Sequence, residues 1–285
     1  MYKAGKKLTI LSNTSAPSER ALLKLTKLGF NSNHITSGAV TSGEEASKYI
    51  LETYGSDPSV TRKALMLTWD TTDLNNPRLT ALPQQFLEQC GNIDVAETVQ
   101  EADFLLLHGS EVWYRGPKLE PLSLTPFITH GSLESVNPLL EECGQRNLPM
   151  VCANPDNIVR TPDGGDAHMP GKLATRYTQL VDPNSVDCRV FGKPHVEHFQ
   201  ACLKKLQKDH GIAADRVAHV GDSLHHDIAG ASSAGIASIW TTSSGIHAND
   251  LGLDFGQQPT AQQVRDLLKK EGTAEPTHVL PAFLW

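Results

Sequence analysis

Apolar runs of strand length alternate with amphipathic stretches of helix length over most of the chain, the signature of βα units built around a parallel sheet. After Leu8-Thr9-Ile10-Leu11, Ser18 stands where it can cap a helix in which Ala21, Leu22, Leu25 and Leu28 recur at helical spacing until Gly29 stops it. Ser42-Gly43-Glu44-Glu45 reads as a capping box that opens a second helix running through Leu51. From about Ser56 to Asn147 the texture changes. ALMLTW and DFLLLHG are strand-like, but Pro77, Pro83, Pro117, Pro121 and Pro126 break the intervening segments into irregular connections. A regular rhythm returns with PMVCANPD, CRVFGKP, a helix from about His195 to His210, RVAHVGDS, a helix around Ile228, IASIW, and a helix opened by Thr260 with Gln263. The pattern predicts an α/β protein with a Rossmann-like parallel-sheet core made of residues 1–55 and 148–285, split around an inserted α/β domain at 56–147. Met1 to Lys7 read as the fraying end of a helix, so the first strand is reached without the element that normally precedes it in a βα unit.

At 285 residues the chain is long enough for one large domain or for a core with an insert. Its hydrophobic content of 39% and charged content of 20% are ordinary for a globular protein and exclude disordered, collagen-like and coiled-coil classes. A net charge of −7 without a dense Lys/Arg run argues against nucleic acid as a partner. No apolar run approaches the roughly 20 residues that span a bilayer, so no membrane is expected. The five cysteines, Cys90, Cys143, Cys152, Cys188 and Cys202, are odd in number and lack C-x-x-C spacing. Reduced thiols in a cytoplasmic protein fit that usage, and the Asn13-Thr14-Ser15 glycosylation triplet is then a chance match.

In open α/β sheets ligands bind beyond the carboxyl ends of the strands. Four strand ends are unusually polar: Ser12-Asn13, Asn154-Pro155-Asp156, Lys193-Pro194 and Gly221-Asp222-Ser223. In VGDSLHHDI, Asp222 leaves a strand and Asp227 follows five residues later as the next helix begins. Hard carboxylate oxygens so placed suit Mg²⁺, which is commonly held by one or two carboxylates together with substrate phosphate. Lys193 can set an ammonium against a phosphoryl oxygen, and Ser12 with the Asn13 amide can donate hydrogen bonds to the same group.

This ordered set resembles the haloacid dehalogenase-like phosphatases. ILSN, VFGKPH and HVGDSLHHDI are similar to that family's second, third and fourth motifs, while ITSGAVTSGE, CANPD and the closing HVLPAFLW are similar to the subgroup with a type-two cap inserted between motifs two and three. The resemblance implies a Mg²⁺-dependent phosphatase of a small phosphorylated metabolite, with Ser12, Asn13 and Lys193 on the phosphoryl group and Asp222 and Asp227 on the metal. Asp156, His168 and Met169 are the candidates to face the leaving group. In the family a preceding strand carries Asp-x-Asp, whose first carboxylate attacks phosphorus and whose second is the general acid/base. No Asp-x-Asp occurs in the 285 residues, and Trp69-Asp70-Thr71-Thr72-Asp73 has the wrong spacing. The expectation is therefore a chain lacking the nucleophile motif and inactive as written, truncated before its first strand. The alternative is a pseudophosphatase that keeps a phosphate or metal pocket for binding.

Other motifs fail on spacing. Gly165 and Gly171-Lys172 enclose five residues, with Leu173 where a phosphate-binding loop needs Ser or Thr. His195 with His198, and His225 with His226, lack the i, i+4 spacing of a helical zinc site.

Overall fold

The computed structural model describes residues 2–72, 82–160, 165–182 and 184–283. Asp73, Leu284 and Trp285 lie outside the described residues. Along the chain come β1 (Ile10–Ser12), α1 (Ser18–Lys27), β2 (Ala39–Thr41), α2 (Ser42–Ile50), β3 (Arg62–Thr68), α3 (Pro83–Glu88), β4 (Ile93–Val95) and β5 (Phe104–Leu107). These are followed by β6 (Val112–Tyr114), β7 (Leu122–Ser123), α4 (Thr125–His130), α5 (Asn137–Gln145), β8 (Met150–Cys152), β9 (Ile158–Arg160), β10 (Asp166–His168), α6 (Pro170–Thr178) and β11 (Cys188–Val190). The remainder holds α7 (Val196–His210), β12 (Ala218–Gly221), α8 (Ala229–Ser233), β13 (Ala237–Thr241), α9 (Ala248–Leu251), α10 (Ala261–Glu271) and β14 (His278–Leu280). The class is the α/β one that the alternating pattern predicts.

Two compact units divide the chain: 1–11, 30–39 and 193–285 form the smaller, and 12–29 and 40–192 the larger. In the larger unit a seven-stranded sheet has the order β11-β8-β5-β3-β6-β7, with β4 also paired to β3. β3, β5, β8 and β11 run parallel, and β6 is antiparallel to β3. Strands covered on both faces read as continuous apolar runs, and the period of two then sorts their side chains. Leu65, Leu67, Leu105, Leu107, Met150 and Cys152 enter one core with Phe127, Leu140 and Tyr177. Ala64, Met66, Phe104, Leu106, Val151 and Ala153 enter the other with Ile50 and Phe86. Each fully buried Leu, Met or Phe contributes about 1.5–3 kcal/mol.

Here the structure corrects the expected boundaries. MVC (β8) and CRV (β11), assigned from sequence to the split core with RVAHV, hydrogen-bond into the sheet of ALMLT (β3) and FLLL (β5). A short apolar run declares a buried strand but not which sheet receives it; of the prolines that suggested a domain change, Pro83 opens α3, Pro117, Pro121 and Pro126 lie around β6, β7 and α4, and Pro77 lies outside the described residues.

The smaller unit carries a parallel three-stranded sheet, β12-β13-β14. Leu224, Ile228, Trp240, Leu251, Leu267 and Leu268 bury against one another beside it. β12 pairs with β13 along one edge only, and its residues are half-buried or exposed. The Thr260–Gln263 capping box forms as expected. α2 is instead capped by Thr41, whose Oγ1 accepts from Glu44 N at 3.2 Å. Ser18 does not cap α1, for its own N–H is held by Glu44 Oε2 at 3.0 Å. α1 buries none of its residues, and Leu23 and Leu28 are 64% and 66% exposed.

One buried group in the larger unit ties stability to pH. His108, which follows β5, is completely buried with Nδ1 2.7 Å from Thr68 Oγ1. Burial pulls its pKa down to about 3, and the Ser15 main chain only partly opposes this. The unfolded chain protonates this imidazole below about pH 6.5 and the folded one does not. Stability present above that pH is therefore lost as pH falls, by about 2 kcal/mol at pH 5. Urea titrations at pH 7 and pH 5 should show this loss in the wild type, and His108→Gln should show a clearly smaller one.

Candidate functional site

In the smaller unit, β12 ends in Gly221, and the chain passes through Asp222 and Ser223 into a π-helical turn, Leu224–Ile228, whose acidic member is Asp227. Ser223 Oγ caps that turn by accepting from His226 N at 3.1 Å. π-helical turns are rare and concentrate at functional sites, and this one swings Asp227 back beneath the strand end. The side chain is 4% exposed, and both oxygens are fully engaged. Oδ1 accepts from Lys193 Nζ at 2.7 Å and His219 Nε2 at 2.8 Å. Oδ2 accepts from the main-chain N–H groups of Asp222 at 3.2 Å and Ser223 at 3.0 Å. Gly221 is required by this approach, since a Cβ there would fall 2.1 Å from Asp227 Cγ. Burial alone would raise the Asp227 pKa, but the His219 hydrogen bond and the Lys193 charge outweigh it and hold the carboxyl well below the usual carboxylate range.

Asp222 is positioned separately. Its Oδ2 accepts from Ile246 N at 3.0 Å, and its carbonyl accepts from Trp240 Nε1 at 3.0 Å. His219 is buttressed by the Phe199 ring, whose centroid is 5.0 Å away in an edge-on arrangement. Lys193, Asp222 and Asp227 lie in one unit, with Lys193 bonded to Asp227, and His219 is the member of this cluster that sequence reasoning missed. The signal was present: a histidine in the middle of an otherwise apolar strand, RVAHV.

The fit of these groups to Mg²⁺ is uneven. A carboxylate has about four acceptor sites, and Asp227 spends them on four donors, so it is a hub that holds Lys193 and not an open ligand. Asp222 keeps Oδ1 without a hydrogen bond among the described residues. The described residues include no group of three or more His, Cys, Asp or Glu placed to hold a metal ion. The two expected metal ligands thus differ in their surroundings: the Asp227 carboxylate is engaged by four donors and that of Asp222, among the described residues, by one.

The remaining candidates lie in the larger unit, apart from Lys193 in the division of the chain. Ser12 closes β1. Asn13 donates from Nδ2 to Asp156 Oδ1 at 2.8 Å, and Asp156 N–H donates to Asn154 Oδ1 at 3.0 Å, so Asn13 and Asp156 brace one another. Met169 is buried with Ala16, Trp69, Ile128 and Ala167, which makes it a core residue. The His168 carbonyl accepts from Ser110 Oγ at 2.8 Å. His198 is buried and His225 pairs with Glu271 at 2.8 Å, in keeping with structural roles.

Residues 190–270 match the family model for haloacid dehalogenase hydrolase-like proteins. The whole chain superposes on solved structures of that superfamily. A haloacid dehalogenase-like hydrolase from Brucella suis 1330 matches with TM-score 0.67 and 22% identity, over 99% of this chain and 85% of that one. The chain has a haloacid dehalogenase-like fold. A possible sugar phosphatase from Cytophaga hutchinsonii shares this fold with TM-score 0.65 and 18% identity, over 99% of this chain and 84% of its own. A p-nitrophenyl phosphatase from Archaeoglobus fulgidus shares it with TM-score 0.58 and 19% identity, over 99% and 85%. No curated protein matches the chain. Within this haloacid dehalogenase-like fold the family match covers the segment that carries Lys193, Asp222 and Asp227. The five cysteines are free, with burial pushing the thiols of Cys90, Cys143 and Cys152 up to about 12. No described helix is long and apolar enough to cross a membrane.

Proposed function

We propose that this chain is the scaffold of a phosphoric monoester hydrolase for a small phosphorylated metabolite, working with Mg²⁺. The observation that carries this reading is the Lys193 ammonium pinned by buried Asp227 next to Asp222 at the carboxyl end of β12, with no hydrogen bond to Asp222 Oδ1 among the described residues. Lys193 screens phosphoryl charge, and Asp222 offers Mg²⁺ a hard oxygen. Asp227 fixes the ammonium in place. Mg²⁺, when bound, supplies further charge to a phosphoryl group. Ser12, Asn13 and His168 belong to the larger unit, so this reading rests on Lys193 and Asp222. Asp156 and Met169 fit structural roles better, given their partners. The free, mostly buried cysteines fit a reducing compartment such as the cytoplasm.

The second reading is a binding protein without turnover. It is favoured by the lack of any Asp-x-Asp in these 285 residues. Both readings need the Asp222 oxygen. Calorimetric titration with MgCl₂ should show weak, saturable binding that disappears in Asp222→Ala. Tight Mg²⁺ binding that survives in Asp222→Ala would refute the assignment of the metal to this residue.

A further inference from the structure

A second cluster of cationic and imidazole groups lies within the larger unit, clear of the Lys193 hub in the division of the chain. α4 ends at His130, and Gly131 turns the chain with φ +67°, a left-handed conformation that suits glycine. Over this glycine two side chains converge. Lys172 Nζ and His168 Nε2 lie 2.4 and 2.7 Å from the point a Gly131 Cβ would occupy. Lys172 Nζ donates to the Gly131 carbonyl at 3.1 Å and lies 3.5 Å from His168 Nδ1. With the ammonium facing Nδ1, that nitrogen is the acceptor, so His168 carries its proton on Nε2 and presents an N–H. Burial, then the charge of Lys172, lowers the His168 pKa; Asp166 opposes this and His130 adds to it. These neighbours favour the neutral imidazole, and its N–H stands beside the Lys172 ammonium.

Location adds an independent argument. His168 is tied by its carbonyl to Ser110 Oγ, and Ser110 follows β5 at the carboxyl edge of the parallel strands of the seven-stranded sheet. That edge is where open α/β sheets bind ligands. The ammonium uses one N–H on the Gly131 carbonyl and turns another toward His168, which leaves a third for a ligand.

We propose that Lys172 and His168 form an oxyanion-binding site in the larger unit, taking the carboxylate or phosphate group of a small molecule through the third Lys172 N–H and the His168 Nε2–H. The site goes beyond the phosphatase reading and stands whether or not that reading holds, because none of its groups belongs to the Lys193 hub.

The test is an NMR titration of the full 285-residue chain with inorganic phosphate and, separately, with malonate. It follows the imidazole resonance of His168, assigned by its loss in His168→Gln. The expected result is a saturable shift, weakened about tenfold or more in Lys172→Met, the worth of one charge-assisted hydrogen bond. Lys172→Arg, which keeps the charge, should retain it, as should Lys193→Met, which disables the other hub. Tighter binding of phosphate assigns a phosphoryl ligand, and tighter binding of malonate a carboxylate. No shift with either anion, an undiminished shift in a folded Lys172→Met, or loss of the shift in Lys193→Met would overturn the proposal.

Discussion

Replacing Asp227 with alanine should lower the unfolding free energy by about 3–5 kcal/mol, the range for removing one partner of a buried ion pair. The carboxylate accepts from four donors: the Lys193 ammonium, the His219 ring and two main-chain amides. Its loss removes the carboxylate that Lys193 and His219 share and takes the acceptor from two main-chain N–H groups, each costing about 1–3 kcal/mol if it stays dry. Lys193→Met removes only one of the four donors and leaves Asp227 satisfied by the other three, so it should be the milder change. The same geometry sets the acid limit. The folded carboxyl pKa is depressed, so its contribution is intact above the usual value of about 4 and is lost as pH falls below it. Urea titrations at pH 7 should rank wild type, Lys193→Met and Asp227→Ala in order of falling stability. A wild type and Asp227→Ala within about 1 kcal/mol of one another would show that the hub is not the structural centre it looks to be.

The elements of this fold were legible where one local rule decides them. The continuous apolar runs ALMLT and FLLL forecast strands, and in the structure the two cores take their alternate residues. Thr260 with Gln263 forms its capping box because both partners lie within four residues of each other. Domain membership was not legible, because MVC and CRV carry no mark of the sheet they join; that choice rests on partners far away in sequence, such as Leu105 for Met150 and Met150 for Cys188. The cap of α2 was misplaced by one residue because Thr41 and Ser42 are chemically equivalent candidates, and only the extended backbone at Thr41 settles it. In the candidate site, Lys193 and Asp222 were singled out by their places after strand ends and Asp227 by its place at the start of the next helix. The saturation of Asp227 was invisible, since it depends on His219 and two main-chain amides that a one-dimensional motif does not encode.

The 285-residue polypeptide should not hydrolyse phosphate esters by the aspartyl-phosphate route. Lys193 can orient and screen a phosphoryl group, but electrostatics and positioning do not supply an attacking carboxylate or an acid to protonate the leaving oxygen. The carboxylates of the hub are committed or too few: Asp227 holds four hydrogen bonds, and Asp222 is tied to Ile246 N and is the proposed metal ligand. General acid/base catalysis alone contributes roughly 10² to 10⁴ fold, and loss of the nucleophile adds to that. Rates far below the enzymic range of about 1–10³ s⁻¹ follow. The direct measurement is phosphate release from a panel of phosphomonoesters with Mg²⁺, comparing this chain with its Asp222→Ala variant. The expected outcome is release indistinguishable between the two and no faster than in buffer. Turnover at about 1 s⁻¹ or more that Asp222→Ala abolishes would contradict it and place a nucleophile among these residues.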